Sequence, residues 1–480
     1  MLPPLPEHAL TELARTAGSS ETLALLVRDQ DTRRLLVLRT LLDQADRSPV
    51  CPPSVRRRLR EDWAMLESAE DTADTAAGTG AAAGSAVRTG LLQPLLGPWA
   101  QRCLRALESA DGSAWQPELA AHFDHFGAVA AAIAARAGLP FAVRLTAHDG
   151  TLVLPSLGAL RTGVRGPARV AAVHRHGRLT LRLPGAADVV VRLQDGVGAW
   201  SGSRAWTPAH ALPGLLPGTP PVPLDDLDPY RSVRGGPHYY GLSGPVTLDD
   251  AERKRWLQAW SGTAAALREG GRERPAEAAA LLRCLVPLAV PPGDSADGRA
   301  HGACSSTRQD AFGAVLSSTP PDATAFATTL VHELQHAKLS VLGQMLTLHH
   351  SDSRPRYFAP WRPEPRPYDA LLQGAYAHLA LADHFGHRAL GAGDPVRRDR
   401  DWALFARYHE QVGAALPALA GSDDLTAPGR RFVEVMADTY DRMHDHPVPR
   451  EHTVRAREYV RAARRLWTQR HPAQVRRSCE

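Results

Sequence analysis

The sequence predicts an α+β protein that is mainly α-helical, with a helical N-terminal part, a small antiparallel β module and a zincin-like helical metal-binding part. Three observations predict it. Apolar residues recur at helical spacing through most of residues 6–139 and 247–469. Between about 140 and 206 they give way to short runs of alternating polarity separated by Gly, Pro and Asp. Near residue 330 an uninterrupted apolar helix carries two histidines four residues apart.

Residues 6–48 read as two amphipathic helices, the second from Asp29 to Ala45 with Leu35, Leu36, Leu38, Leu41 and Leu42 on one side. A third helix follows at 54–69, then an Ala/Gly/Thr stretch whose lack of bulky apolar groups marks a mobile insertion at about 70–90. Two helices at about 90–108 and 116–137 complete an N-terminal helical region spanning 1–139. His122, Asp124 and His125 on the latter form a weak metal-binding candidate beside a packing role. The β-rich module at 140–206 rests on runs such as Phe141–Leu145, Thr151–Leu154 and Val189–Leu193. A Pro/Gly-rich connection at 207–246 leads into a metal-binding catalytic domain at 247–480, with helices expected at 247–269 and 275–288. A short strand at 311–317 precedes the histidine helix, and Ser317 to Asp322 supply capping and Pro-rich start signals ahead of it. Helices at 368–387, 399–417, 428–444 and 451–469 close the chain.

Composition narrows the classes. A chain of 480 residues with 44% hydrophobic and 22% charged residues has the balance of a globular protein with a sizeable core. The net charge of +5 is small and carried by Arg, since Lys254 and Lys338 are the only lysines. No Lys/Arg block interleaved with aromatics points to nucleic acid. Five dispersed cysteines make neither a disulfide framework nor a metal knuckle. Without a signal-peptide pattern or an apolar run near the roughly 18 residues of a membrane span, the expectation is a cytoplasmic protein with no membrane partner.

The chemistry sits in Leu330-Val331-His332-Glu333-Leu334-Gln335-His336. On a helix, His332 and His336 lie one turn apart on one face, so both imidazoles reach one metal ion, with Glu333 beside them as the catalytic acid/base candidate. Chance gives about 0.05 such motifs in a chain with 21 histidines, so accident is a poor explanation. A third protein ligand is expected. His349, His350, Asp352, Asp369, Asp383, His384 and His387 are near in sequence, but His378 is preferred, because it lies within the apolar stripe Leu371, Ala375, Ala382, Phe385. His384 and His387 fall beside that stripe and are expected to be exposed. Arg356, Arg362 and Arg366, in a Pro-studded loop, are candidates to clamp a carboxylate. Arg308 and Asp310 are weaker candidates for substrate contact.

The stretches Ser306–Val315, Leu330–Leu339, Arg356–Arg362 and Leu372–Leu379 together resemble the HExxH-motif proteins of bacterial peptide-modification clusters. That family is described as 2-oxoglutarate-dependent, HExxH-type peptide β-hydroxylases, and its domain also occurs fused to radical-SAM maturases. The resemblance covers most of the chain and is strongest over about 305–385. It implies an Fe(II) centre using 2-oxoglutarate and O2 to hydroxylate a side-chain β-carbon, often that of Asp, in a ribosomally made precursor peptide. Other maturation enzymes of the same cluster would be further partners. Carried over, it makes His332 and His336 iron ligands with His378 the third, and gives an arginine of the 354–366 loop the distal carboxylate. The rival from the motif is a zinc peptidase with Glu333 as general base. A second rival is a peptide-binding scaffold without catalysis, its β module gripping the peptide.

Overall fold

The computed structural model describes residues 5–76, 85–109, 117–194, 198–231, 244–289 and 304–472. Helices take 56% of the chain and strands 16%, a mixed α+β fold that is mainly helical. It opens with α1 (Glu7–Ala14) and α2 (Ser20–Arg47). The second runs nine residues further back than the apolar stripe suggests. Its polar stretch Asp29-Gln30-Asp31 is buried against other elements rather than marking an end. Asp29 pairs with Arg33 at 2.7 Å, and Gln30 donates to Gln344 Oε1 at 3.0 Å.

There follow α3 (Pro53–Ala76), α4 (Ala86–Leu91), α5 (Leu96–Glu108) and α6 (Pro117–Arg136). Of the insertion expected to be mobile at about 70–90, residues 77–84 lie outside the described residues, and both flanks are helical. The helix expected at 90–108 is interrupted ahead of α5, where Arg34 caps the carbonyls of Gln93 and Pro94 at 2.7 and 3.1 Å. Helix α6 serves two cores. Val129, Ile133 and Ala134 face the N-terminal helices, while Ala128, Ala131, Ala132 and Ala135 face the β module. Small side chains on that second face let the sheet approach closely.

The β module comprises β1 (Phe141–Ala147), β2 (Thr151–Leu154), β3 (Gly158–Arg161), β4 (Ala168–Arg175), β5 (Arg178–Arg182), β6 (Val189–Gln194), β7 (Gly198–Trp200) and β8 (Trp206–Pro208). One antiparallel sheet has the order β1-β4-β5-β6-β7, and a smaller one β2-β3-β8. Two tight hairpins turn on positive-φ pairs, Asp149-Gly150 and His176-Gly177, as two-residue loops require.

The remainder builds the site. It contains β9 (His210–Leu212), β10 (Val222–Leu224), α7 (Asp250–Glu269), α8 (Arg274–Leu281), β11 (Cys284–Leu288), β12 (Ser305–Thr307), β13 (Ala314–Ser318), α9 (Ala323–Met345), α10 (Tyr368–Gly391), α11 (Pro395–Ala420), α12 (Ala427–Arg442) and α13 (Arg450–Arg470). The expected helix 275–288 is corrected: it stops at Leu281, and Cys284–Leu288 is a fully buried strand. A continuous apolar run of this length suits a strand covered on both faces, which periodicity alone does not separate from a buried helix. The 207–246 connection also contributes β9 and β10 to the same sheet, ordered β12-β13-β11-β10-β9. Strands β10, β11 and β13 run parallel, and β12 lies antiparallel at the edge. Asp322 caps α9 by accepting from Ala325 N at 2.8 Å. Among the described residues no helix is long and apolar enough to cross a membrane.

A buried ion network anchors the back of α9. Lys338 is fully buried, pairs with Glu277, and donates to the carbonyls of Thr16 and Ala17 at 3.0 and 3.2 Å. Arg274 bonds Glu277 and Asp383, both at 3.0 Å, and the Thr16 carbonyl at 2.7 Å. Burial lowers Lys338 to about 8 against the pull of Glu277. Burial would raise Glu277, but Lys338 and Arg274 outweigh it and hold that carboxyl low. The network ties α9 to α8, α10 and the α1–α2 turn, and so fixes the rotation of the histidine helix.

Candidate metal centre

On the opposite face of α9, His332 and His336 bring their Nε2 atoms to 3.0 Å. Two nitrogens each about 2.1 Å from one ion, at about a right angle, stand about 3.0 Å apart. His336 Nδ1 lies 3.2 Å from Gln373 Oε1 on α10. A proton donated there leaves Nε2 with its lone pair turned toward His332, as the hydrogen bond on the far nitrogen of a metal-binding histidine does. Burial, then His336, His378 and Arg362, drive the His332 pKa well below its usual value. That ring is therefore neutral, the form that binds metal.

His378 is on α10 and buried, as its stripe position requires. Its ring centroid is 5.7 Å from that of His332. Trp361 and Tyr408 pack edge-on against it, with centroids at 4.5 and 5.2 Å. Trp361 can lie there because residue 374 is glycine: a Cβ would stand 2.5 Å from Trp361 Cζ2. His378 Nδ1 is buried with no partner, and burial lowers the ring to about 3. A converged nitrogen pair and an orphaned imidazole nitrogen on the facing helix fit a divalent ion with three histidine ligands. Closing the trio needs the His378 ring to move inward. Among the described residues, only Asp399, Glu451 and His452 hold three ligand atoms all within 4.8 Å. Asp399 and Glu451 are exposed, and His452 is already engaged with Asp399 at 2.7 Å.

Glu333 is 1% exposed and accepts from Ser305 Oγ of β12 at 2.7 Å. Burial raises its pKa, opposed by His336 and the Ser305 and Thr307 hydroxyls. It thereby bridges the histidine helix to the edge strand. A cleft of about 680 Å³ opens here between β12, α9, α10 and the 361–366 loop, lined by the three histidines, Glu333, Arg362, Arg366 and Gln373 among others. The loop is held as a narrow hairpin, with Tyr357 N donating to Arg366 O and Arg366 N to Tyr357 O, each at 2.9 Å.

The other candidates divide plainly. Arg356 does not line the cleft; it is exposed and pairs with Asp352. Arg308 and Asp310 also lie off the cleft and bond each other at 2.9 Å, Arg308 reaching the Tyr230 carbonyl at 3.1 Å. Their role is to join the 304–314 segment to the Asp225–Arg231 stretch. His349 packs on Tyr368, with centroids 4.8 Å apart. His387 is exposed and engages Asp383, but His384 is fully buried with both ring nitrogens unpartnered, against the expectation of exposure. Helix α10 is wrapped on more sides than one apolar stripe implies. Within His122-x-Asp124-His125, His122 meets the Tyr230 hydroxyl at 2.8 Å and Asp124 meets His148 at 3.0 Å, while His125 Nε2 is buried without a partner. Sequence reasoning missed Gln373, Trp361 and Ser305. Gln373 and Trp361 stand inside stretches that carry the family resemblance, and Ser305 stands one residue before one, which was the signal available. No family model and no curated protein matches the chain.

Proposed function

We propose that the chain is an iron(II)- and 2-oxoglutarate-dependent hydroxylase acting on a side-chain β-carbon, Asp among the targets, of a ribosomally synthesised precursor peptide. The observation that carries this reading is the entry of Arg362 and Arg366 into the same cleft as the converged histidine pair. His332, His336 and His378 are neutral ligands and leave the charge of a divalent ion uncompensated. Such a centre favours an anionic partner, and Arg362 or Arg366 supplies the fork that holds a second carboxylate bidentately. Bound there, Fe(II) with the keto acid would supply O2 activation, one oxygen atom entering the substrate C–H bond and the other the succinate formed as CO2 leaves. Gln373 orients His336, Trp361 and Tyr408 shield His378 from water, and Glu333 fixes the edge strand against the histidine helix.

A zinc peptidase is the second reading, favoured by one observation: a buried Glu333 of raised pKa adjoining His336. An anaerobic titration separates the two. Protein loaded with Fe(II) should develop a weak visible charge-transfer band as 2-oxoglutarate is added. No band, with tight zinc binding and cleavage of a generic peptide, would make Glu333 the working base.

A further inference from the structure

The solvent face of the β1-β4-β5-β6-β7 sheet carries three stripes that cross its strands. Arg175, Arg178, Arg192 and Trp200 stand directly opposite one another on β4, β5, β6 and β7. Two residues along the strands, Ala142, Val173, Thr180 and Val190 form an uncharged, mainly aliphatic stripe. Two residues further, Arg144, Ala171 and Arg182 form the third. Trp200 is 45% exposed and Val190 37%, and the Arg192 guanidinium lies 5.6 Å from the Trp200 ring centroid. Residues 140–206 hold nine arginines against three aspartates, with no Glu or Lys, an excess above the +5 of the whole chain. Among the described residues the carboxylate engaged on this face is Asp188, at 3.0 Å from Arg182.

Like charges directly opposite on adjacent strands weaken a sheet. The row Arg175–Arg178–Arg192 therefore costs the isolated chain stability that an anionic partner returns. We infer that this face docks an extended acidic polypeptide segment carrying apolar residues between its carboxylates. A chain laid along the strands places residues i, i+2 and i+4 about 7 Å apart, which is the spacing of the three stripes. The pattern read is acidic, apolar, acidic at alternate positions. Single-stranded nucleic acid fits less well: successive bases need aromatic platforms, whereas the middle stripe is aliphatic and Trp200 stands alone at one end. None of these residues lines the metal cleft, so the inference stands apart from the chemistry proposed there.

The test uses the full chain and three fluorescein-labelled probes at low salt, read by anisotropy. One is a peptide repeating Glu-Ser-Val-Ser, one has the same composition with its glutamates contiguous, and one is an oligothymidylate of equal charge. The patterned peptide should bind about tenfold tighter than the scrambled one, and more weakly as salt rises. Arg175→Ser/Arg178→Ser/Arg192→Ser should weaken it about thirtyfold, while melting at or above the wild-type temperature because repulsion is removed. Unchanged affinity in that variant, tighter binding of oligothymidylate than of the patterned peptide, or no peptide binding at all would overturn the inference.

Discussion

On one face of α9, Lys338 is buried beside Glu277, Arg274 and two backbone carbonyls, and its charge is met from several sides. On the other face His332 and His336 are held with their nitrogens toward each other at 3.0 Å, and the facing His378 keeps a buried Nδ1 without a partner. Buried polar groups are ordinarily satisfied by the protein itself, as the Lys338 face shows. Ring nitrogens that converge on each other, beside a buried imidazole nitrogen without a partner, are arranged for something the chain does not contain. The contrast separates the side of the helix that holds the fold from the side proposed to hold the metal. It also makes the two separable by mutation.

The largest effect belongs to the structural face. Glu277→Gln leaves Lys338 buried without its counter-charge and should cost about 3–5 kcal/mol in urea unfolding. The protein that remains folded should keep its Fe(II) stoichiometry; full stability, or loss of metal from folded protein, would blur the division between the faces. Next, His378→Ala should lower Fe(II) affinity by about a hundredfold with little change in melting temperature. Near-native affinity in calorimetry would remove His378 from the ligand set. Arg362→Ala should raise the 2-oxoglutarate needed for half-saturation by about ten- to a hundredfold. Arg356→Ala, at an exposed residue off the cleft, should leave it unchanged, and equal responses would shift the clamp out of the cleft.

The smallest effect is a pH dependence outside both faces. Burial holds His384 and His125 at about 3, against 6.5 for an open chain. Below pH 6.5 the unfolded chain takes up protons that the folded one refuses until about pH 3. Stability from these rings is therefore complete above pH 6.5 and falls as the pH drops through that window. Melting followed by circular dichroism should decline from pH 7 to 5, less steeply in His384→Leu. A flat or rising profile would mean that the rings find partners.

Much of the fold was legible because most helices advertise themselves by period and the β module by alternation. What failed has a common cause. The strand Cys284–Leu288 and the start of α2 were misread because burial on several sides erases the amphipathic signal, and His384 was placed outside for the same reason. At the site, the spacing of His332 and His336 and the stripe position of His378 were enough to bring all three into one cleft. The arginines were not separable in sequence, because the 357–366 hairpin decides which of them turns inward. Gln373 and Trp361 carry no metal-binding pattern of their own, and only packing between α9 and α10 gives them work.

The most direct test of the division is metal content. His332→Ala and His336→Ala, purified and reconstituted anaerobically with Fe(II), should each lose the one equivalent bound by the wild-type chain while keeping its circular dichroism and melting temperature within a few degrees. Full metal content in both variants would place the centre elsewhere, and unfolding of both would assign this face of α9 to structure instead.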